Sequence, residues 1–68
     1  MSTAALVATE WAVELLNLVK ARQWTGEDGI WYISIPRHEE RPRVRAAIHE
    51  MERAAGKTAC VLWVRRRE

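Results

Sequence analysis

The chain has 68 residues, with 11 Lys or Arg against 9 Asp or Glu, a net charge of +2 and a pI of about 9.2. That length permits a single domain spanning residues 1–68, and 49% apolar with 29% charged residues excludes a disordered tail, a collagen and a low-complexity segment. Cys60 is the only cysteine, which excludes an intrachain disulfide and a thiolate-rich zinc site and leads us to expect a reducing, cytoplasmic setting.

The N-terminal stretch lacks the basic region of a signal peptide, and Glu10, Glu14 and Asn17 interrupt its apolar residues, so neither export nor a membrane span is expected. Residues 3–22 are predicted to form the first helix, with Ser2 or Thr3 as N-cap and with Lys20 and Arg22 at the end where the helix dipole favours cations. At about 100° per residue, Ala4, Ala5, Val7, Ala8, Trp11, Ala12, Leu15, Leu16, Leu18 and Val19 fall on one broad half of the cylinder. Leu6 and Val13 intrude on the polar half. The apolar half is wider than one packing neighbour needs, so a further cover is expected.

In Gln23–Trp31 the glycines Gly26 and Gly29 bracket a polar loop, read either as a hairpin with a short first strand or as a loop leading into the next element. Pairing of Thr25 with Ile30 would set Trp24 opposite Trp31, a cross-strand pair contributing roughly 0.2–1 kcal/mol. Ile30–Ile35 is a predicted strand, with Trp31, Ile33 and Ile35 on one face, Ile30, Tyr32 and Ser34 on the other, and Pro36 as its end. A second helix follows. Glu39 and Glu40 suit its start, Pro42 its first turn, Gly56 the position just past its end, and Val44, Ala47, Ile48, Met51 and Ala55 its core stripe. Thr58–Val64 is a nearly unbroken apolar run, the pattern of a strand buried on both faces.

The order helix, short hairpin strand, strand, helix, strand predicts an α+β fold whose last three elements are a right-handed βαβ unit with parallel strands. If both helices cover one face of the small sheet, the other face carries Ile30 and Tyr32 or Trp31 and Ile33. It also carries Ala59, Val61 and Trp63, or Cys60, Leu62 and Val64. Either set exceeds the apolar patch a soluble monomer ordinarily exposes, so an interface with another macromolecule, a protein first of all, and a homodimer are expected. Helices split across both faces would leave nothing open.

Four tryptophans in so short a chain suggest binding, because Trp concentrates binding energy. The candidates are Trp24 with Glu27 and Asp28 of the loop, and Trp31, Tyr32 and Trp63. The competing reading is that a tiny core needs large side chains, a role for Trp11 and for Trp31 or Trp63. On the second helix Arg41, Arg45, His49 and Arg53 recur every fourth residue and form a basic stripe; with Arg65, Arg66 and Arg67 of the tail it could meet phosphate or an acidic surface. Glu50 and Glu52 flank the stripe, which equally suits a solvated face laced with ion pairs.

Gly56-Lys57-Thr58 echoes a phosphate-binding loop, but Met51 stands where that motif needs glycine and the segment runs from helix to strand. His49 has Arg53 where a zinc helix needs its second histidine, and His38 lies apart, so no metal is expected. Cys60 within an apolar strand reads as an inert thiol, and neither Glu27 nor Asp28 has a nucleophilic or basic sequence neighbour, so no cofactor and no catalysis are expected. The expected function is a non-catalytic interaction module acting by steric occlusion or as an adaptor. The alternative is a nucleic-acid-binding regulator using the basic stripe and tail. In its size, lack of motifs and Trp and Arg content the chain is similar to accessory proteins carried by phages and other mobile elements. That likeness of style implies an inhibitor of a host protein or defence system and transfers no residue roles.

Overall fold

The computed structural model describes residues 3–65, with side chains from Thr9 onward. Ser2, Arg66 and Arg67, and the side chains of Ala4, Ala5, Leu6, Val7 and Ala8, lie outside the described residues. The elements are α1 (Thr3–Leu18), β1 (Arg22–Thr25), β2 (Trp31–Pro36), one 3-10 turn (Arg37–Glu39), α2 (Pro42–Ala55) and β3 (Cys60–Val64). The sheet has the order β1-β2-β3, antiparallel between β1 and β2 and parallel between β2 and β3. The fold is therefore α+β, with the parallel pair bridged by α2.

Both helices lie on the same face of the sheet. Ala12, Leu16 and Val19 from the α1 side, Val44, Ala47 and Ile48 from α2, and Ile33 and Ile35 from β2 form one buried cluster, closed at one end by Ala59. The spacing i, i+4, i+7 of the α1 residues follows from 3.6 residues per turn. Trp11, Leu15, Trp31, Met51, Val61 and Trp63 pack around this cluster half-buried. Leu18, expected on the core face, is 78% exposed, because the stripe from Ala12 to Val19 turns it away from the sheet. Ala55 is likewise exposed, one turn past the last contact that α2 makes with the core.

The first helix ends at Leu18, four residues before the expected end at Arg22. Lys20 adopts a left-handed conformation (φ 60°), and the Lys20 and Ala21 amides donate back to the Asn17 and Leu16 carbonyls. This closure satisfies carbonyls the helix end would leave free, although a left-handed φ costs an L-residue roughly 1–2 kcal/mol. It releases Arg22 to pair with Ser34. Helix α2 closes the same way: Gly56 (φ 70°) and Lys57 donate to the Arg53 and Glu52 carbonyls. At its start, extended Arg41 precedes Pro42, as a residue before proline must.

The hairpin is present, with a register one residue from that expected: Thr25 pairs with Trp31 and Trp24 with Tyr32. The Gly26 amide donates to the Ile30 carbonyl and the Gly29 amide to the Gly26 carbonyl, with Gly29 at φ 80°. This left-handed glycine absorbs the extra residue, and Ile30 drops out of the strand to 45% exposure. Pro36 is not beyond β2 but its last residue, buried and in register with Val64.

The last strand begins at Cys60, not Thr58, and is not buried on both faces. Val61 and Trp63 face the helices, whereas Cys60 and Leu62 are exposed, because β3 is an edge strand of a sheet covered on one side only. Among the described residues no helix is long and apolar enough to cross a membrane.

A core this small leaves a net stability of only about 3–5 kcal/mol. Ile35→Ala, at a position with no solvent exposure, is expected to remove roughly 2–5 kcal/mol and leave the chain largely unfolded. Leu18→Ala should change stability by no more than about 0.5 kcal/mol. Urea denaturation followed by circular dichroism distinguishes the two.

Candidate functional site

Strand alternation and register assign each side chain to a face. Opposite the helices lie Arg22 and Trp24 of β1, Tyr32, Ser34 and Pro36 of β2, and Cys60, Leu62 and Val64 of β3. They form cross-strand rows, Trp24–Tyr32–Cys60 and Arg22–Ser34–Leu62, with Pro36–Val64 at the end. Trp24 stacks on Tyr32 with ring centroids 5.5 Å apart and an interplanar angle of 17°. Trp24 remains 45% exposed and Leu62 36% exposed. Arg22 has no acidic partner among the described residues.

β1 is exposed along its whole length, and its one large apolar residue is on the side away from the helices. A sheet wetted on one face ordinarily turns polar residues to water and apolar ones to the core. Here Gln23, with Thr25 in the same alternation, lies on the helix side, and Trp24 points away from the helices. Gln23 is nevertheless exposed, and its side-chain carbonyl accepts a hydrogen bond from Trp31 Nε1 at 3.2 Å.

The loop residues hold this face in place. Asp28 Oδ1 accepts the Ile30 amide at 3.0 Å, and Oδ2 accepts the Tyr32 hydroxyl at 2.8 Å. Gly26 is required here, since a Cβ would lie 2.7 Å from Asp28 Oδ1 and 2.9 Å from Tyr32 Cε2. Glu27 is exposed at the tip of the turn. The amide of Ile30 and then the Tyr32 hydroxyl hold the Asp28 carboxyl below the ordinary carboxylate value of 3.8. The same carboxylate, by hydrogen bond first, pushes the Tyr32 phenol above 10.0.

Of the sequence candidates, Trp24, Asp28 and Tyr32 are therefore brought together, and Glu27 stands beside them. Trp31 and Trp63 lie on the opposite side of the sheet, packed on the core, with Lys57 Nζ 5.8 Å and the Arg45 guanidinium 5.5 Å from their respective ring centroids. Trp11 is also half-buried, under the Arg43 guanidinium at 4.6 Å. Cys60, read from sequence as buried and inert, is exposed. Arg22 escaped the sequence reading because the helix was extended through it; the hairpin register is what sets it on the open face.

The basic stripe on α2 is matched by acids. Arg41 pairs with Glu39 at 3.4 Å, Arg45 with Glu40, His49 Nδ1 with Glu52 Oε1 at 3.1 Å, and Arg53 donates to both oxygens of Glu50 at 2.6 and 2.7 Å. Such exposed pairs add little to stability, but they cancel the field a phosphate would feel. Arg65 follows β3 with no acidic partner among the described residues, and Arg66 lies outside them. The described residues contain no cluster of His, Cys, Asp and Glu suited to a metal ion.

Comparison with known protein families, curated proteins and solved structures returns no match, so function is read from the geometry of the chain alone.

The Asp28–Tyr32 bond has a defined pH window. Asp28, with its lowered value, contributes to hairpin stability above pH 3.8 and loses that contribution as pH falls through the lowered value. Tyr32, with its raised value, contributes fully below pH 10.0 and loses its contribution as pH rises through the raised value. Because Tyr32 is the only tyrosine, its phenolate absorbance titrates alone. Asp28→Asn should shift that titration down toward 10.0.

Proposed function

We propose that the chain is a non-catalytic protein-binding module whose working surface is the sheet face opposite the helices. The observation that carries this reading is the outward Trp24, stacked on Tyr32, on a strand whose helix side bears Gln23. The face sets this aromatic pair on β1 and β2 at one side and the aliphatic Leu62 and Val64 on β3 at the other, and Trp is the residue type in which binding energy concentrates. Its mode of action is occlusion: a flat apolar face held by a short hairpin covers a partner's surface and contributes no reacting group.

A different protein suits the face better than a second copy. Two-fold stacking of two such faces would bring two Arg22 side chains into one drying interface, where the bordering carboxylate, Asp28, is already engaged by the Ile30 amide and the Tyr32 hydroxyl. The alternative, a nucleic-acid regulator, needs the α2 stripe and the C-terminal tail; the stripe's Arg41, Arg45 and Arg53 are each matched by a carboxylate, which leaves Arg65 among the described residues to meet a phosphate.

The test is capture of binding proteins on the immobilised chain from a lysate of its source, divided into nuclease-treated and untreated halves, with a Trp24→Ala chain in parallel. We expect a stoichiometric protein in both halves. Trp24→Ala should weaken its binding by about 2 kcal/mol or more, some thirtyfold, with an unchanged far-ultraviolet dichroism spectrum. Capture that disappears with nuclease, or that falls by orders of magnitude between about 50 and 200 mM salt, overturns the proposal in favour of nucleic acid.

A further inference from the structure

The two edges of the sheet differ in a way that bears on pairing. β1 is four residues long, polar apart from Trp24, and carries Arg22 with Lys20 just before it. Short charged strands of this kind are how sheets avoid adding a neighbour. β3 has no such protection. Its five residues, Cys60-Val61-Leu62-Trp63-Val64, include no charge and no proline, and among the described residues its only strand neighbour is β2.

Beside this free edge, on the helix side, is a groove of about 290 Å³ lined by Arg45, Ile48, His49 and Glu52 of α2 and by Val61 and Trp63 of β3. A strand added to β3 at a spacing of about 4.8 Å would turn every second side chain toward that groove. The edge is bracketed by cations. Lys57 precedes it and Arg65 follows it, and neither has an acidic partner among the described residues; Lys57 lies only against the Trp31 ring. Seven residues, 58–64, separate them.

We propose that β3 takes up an extended segment of another protein as a fourth strand. The segment is apolar or β-branched over about five residues, the length of β3, and has an acidic residue at each end to meet Lys57 and Arg65. Main-chain hydrogen bonds supply the affinity, the groove selects the side chains, and the flanking charges set the preference. A second copy of the chain fits less well. Antiparallel pairing of two β3 strands centred on Leu62 would place Arg65 beside Ala59 of the other copy, two residues from its Lys57. Like charges would then meet at both ends. The inference concerns the edge of the sheet and stands apart from the face proposed above.

The test uses two fluorescent peptides with the same alternating valine and threonine centre, one flanked by glutamates and one by lysines. Binding is read by anisotropy, and position by the backbone amide shifts of the isotopically labelled chain. We expect the glutamate-flanked peptide to bind about tenfold more tightly, with the largest shifts at the Cys60–Val64 amides. Lys57→Glu combined with Arg65→Glu, both surface changes, should reverse the preference with the dichroism spectrum unchanged. No binding by either peptide up to about 1 mM, equal affinity for both, or shifts centred on Arg22–Thr25 would overturn the proposal. A concentration-dependent dimer with β3 amides protected from exchange before any peptide is added would overturn it too, by giving the edge to a second copy. Loss of Trp24-dependent capture would leave these peptide results unaffected, so the two proposals fail separately.

Discussion

Ile33 and Ile35 bury one face of β2 beneath two helices at once, and the rest of the molecule follows from that shared burial. A domain of one helical layer on one sheet layer has a single core, and here both helices are committed to it. α1 places Ala12 and Leu16 there and α2 places Val44, Ala47 and Ile48, so among the described residues no helix is left to cover the reverse of the sheet. Water must wet that reverse face, or a partner must cover it. In many two-layer domains the difficulty is met by polar side chains on the outer face. This chain instead sets Trp24, Tyr32, Leu62 and Val64 there.

The distribution of charge points the same way. The four basic residues that recur along α2 each find a carboxylate from the 3-10 turn, the segment before the helix or the helix itself. The stripe is thereby largely paired, while Arg43 on the same helix lies over the Trp11 ring. Around the sheet the balance differs: Arg22 on the open face and Lys57 and Arg65 at the ends of β3 have no acidic counterpart among the described residues. Uncancelled charge at the rim of an apolar surface tunes which partner is accepted and how fast it arrives more than how tightly it is held. Apolar area and cationic rim thus coincide on the sheet and not on the helix.

The sequence displays the elements and their order, because periodicity and glycine or proline punctuation are local signals. It does not display the faces. In Trp31–Pro36 both alternating sets are apolar enough to be buried, so alternation alone cannot say which one meets the helices. A slip of one residue in the hairpin exchanges the faces entirely. The register depends on Gly29 adopting φ 80° and absorbing Ile30, a feature of backbone geometry that composition only permits. The apolar run of β3 misleads for a related reason. Such a run marks a strand buried twice in a large parallel sheet, but at the edge of a three-stranded sheet it marks an uncovered surface. The acids opposite Arg45 and Arg53 are visible in sequence, whereas their pairing is decided by which turn of α2 each side chain reaches.

Both proposed surfaces are fixed before any partner arrives, and separate devices fix them. At the hairpin, Asp28 ties the Tyr32 ring in place through its hydroxyl, and Gly26 leaves the room for it, so the ring on which Trp24 stacks is held. At the other side, Glu52 accepts the Ala59 amide at 2.7 Å through one carboxylate oxygen while the second meets His49. That bond sets where the chain enters β3, directly after the left-handed turn at Gly56. A single side chain of α2 therefore positions the free edge relative to the groove that the same helix lines. Ordering side chains and loops on association ordinarily offsets part of the gain from buried area. A Tyr32 ring tied by one carboxylate and an edge anchored by another have less of that ordering left to do, so either proposed surface would bind at a smaller ordering cost.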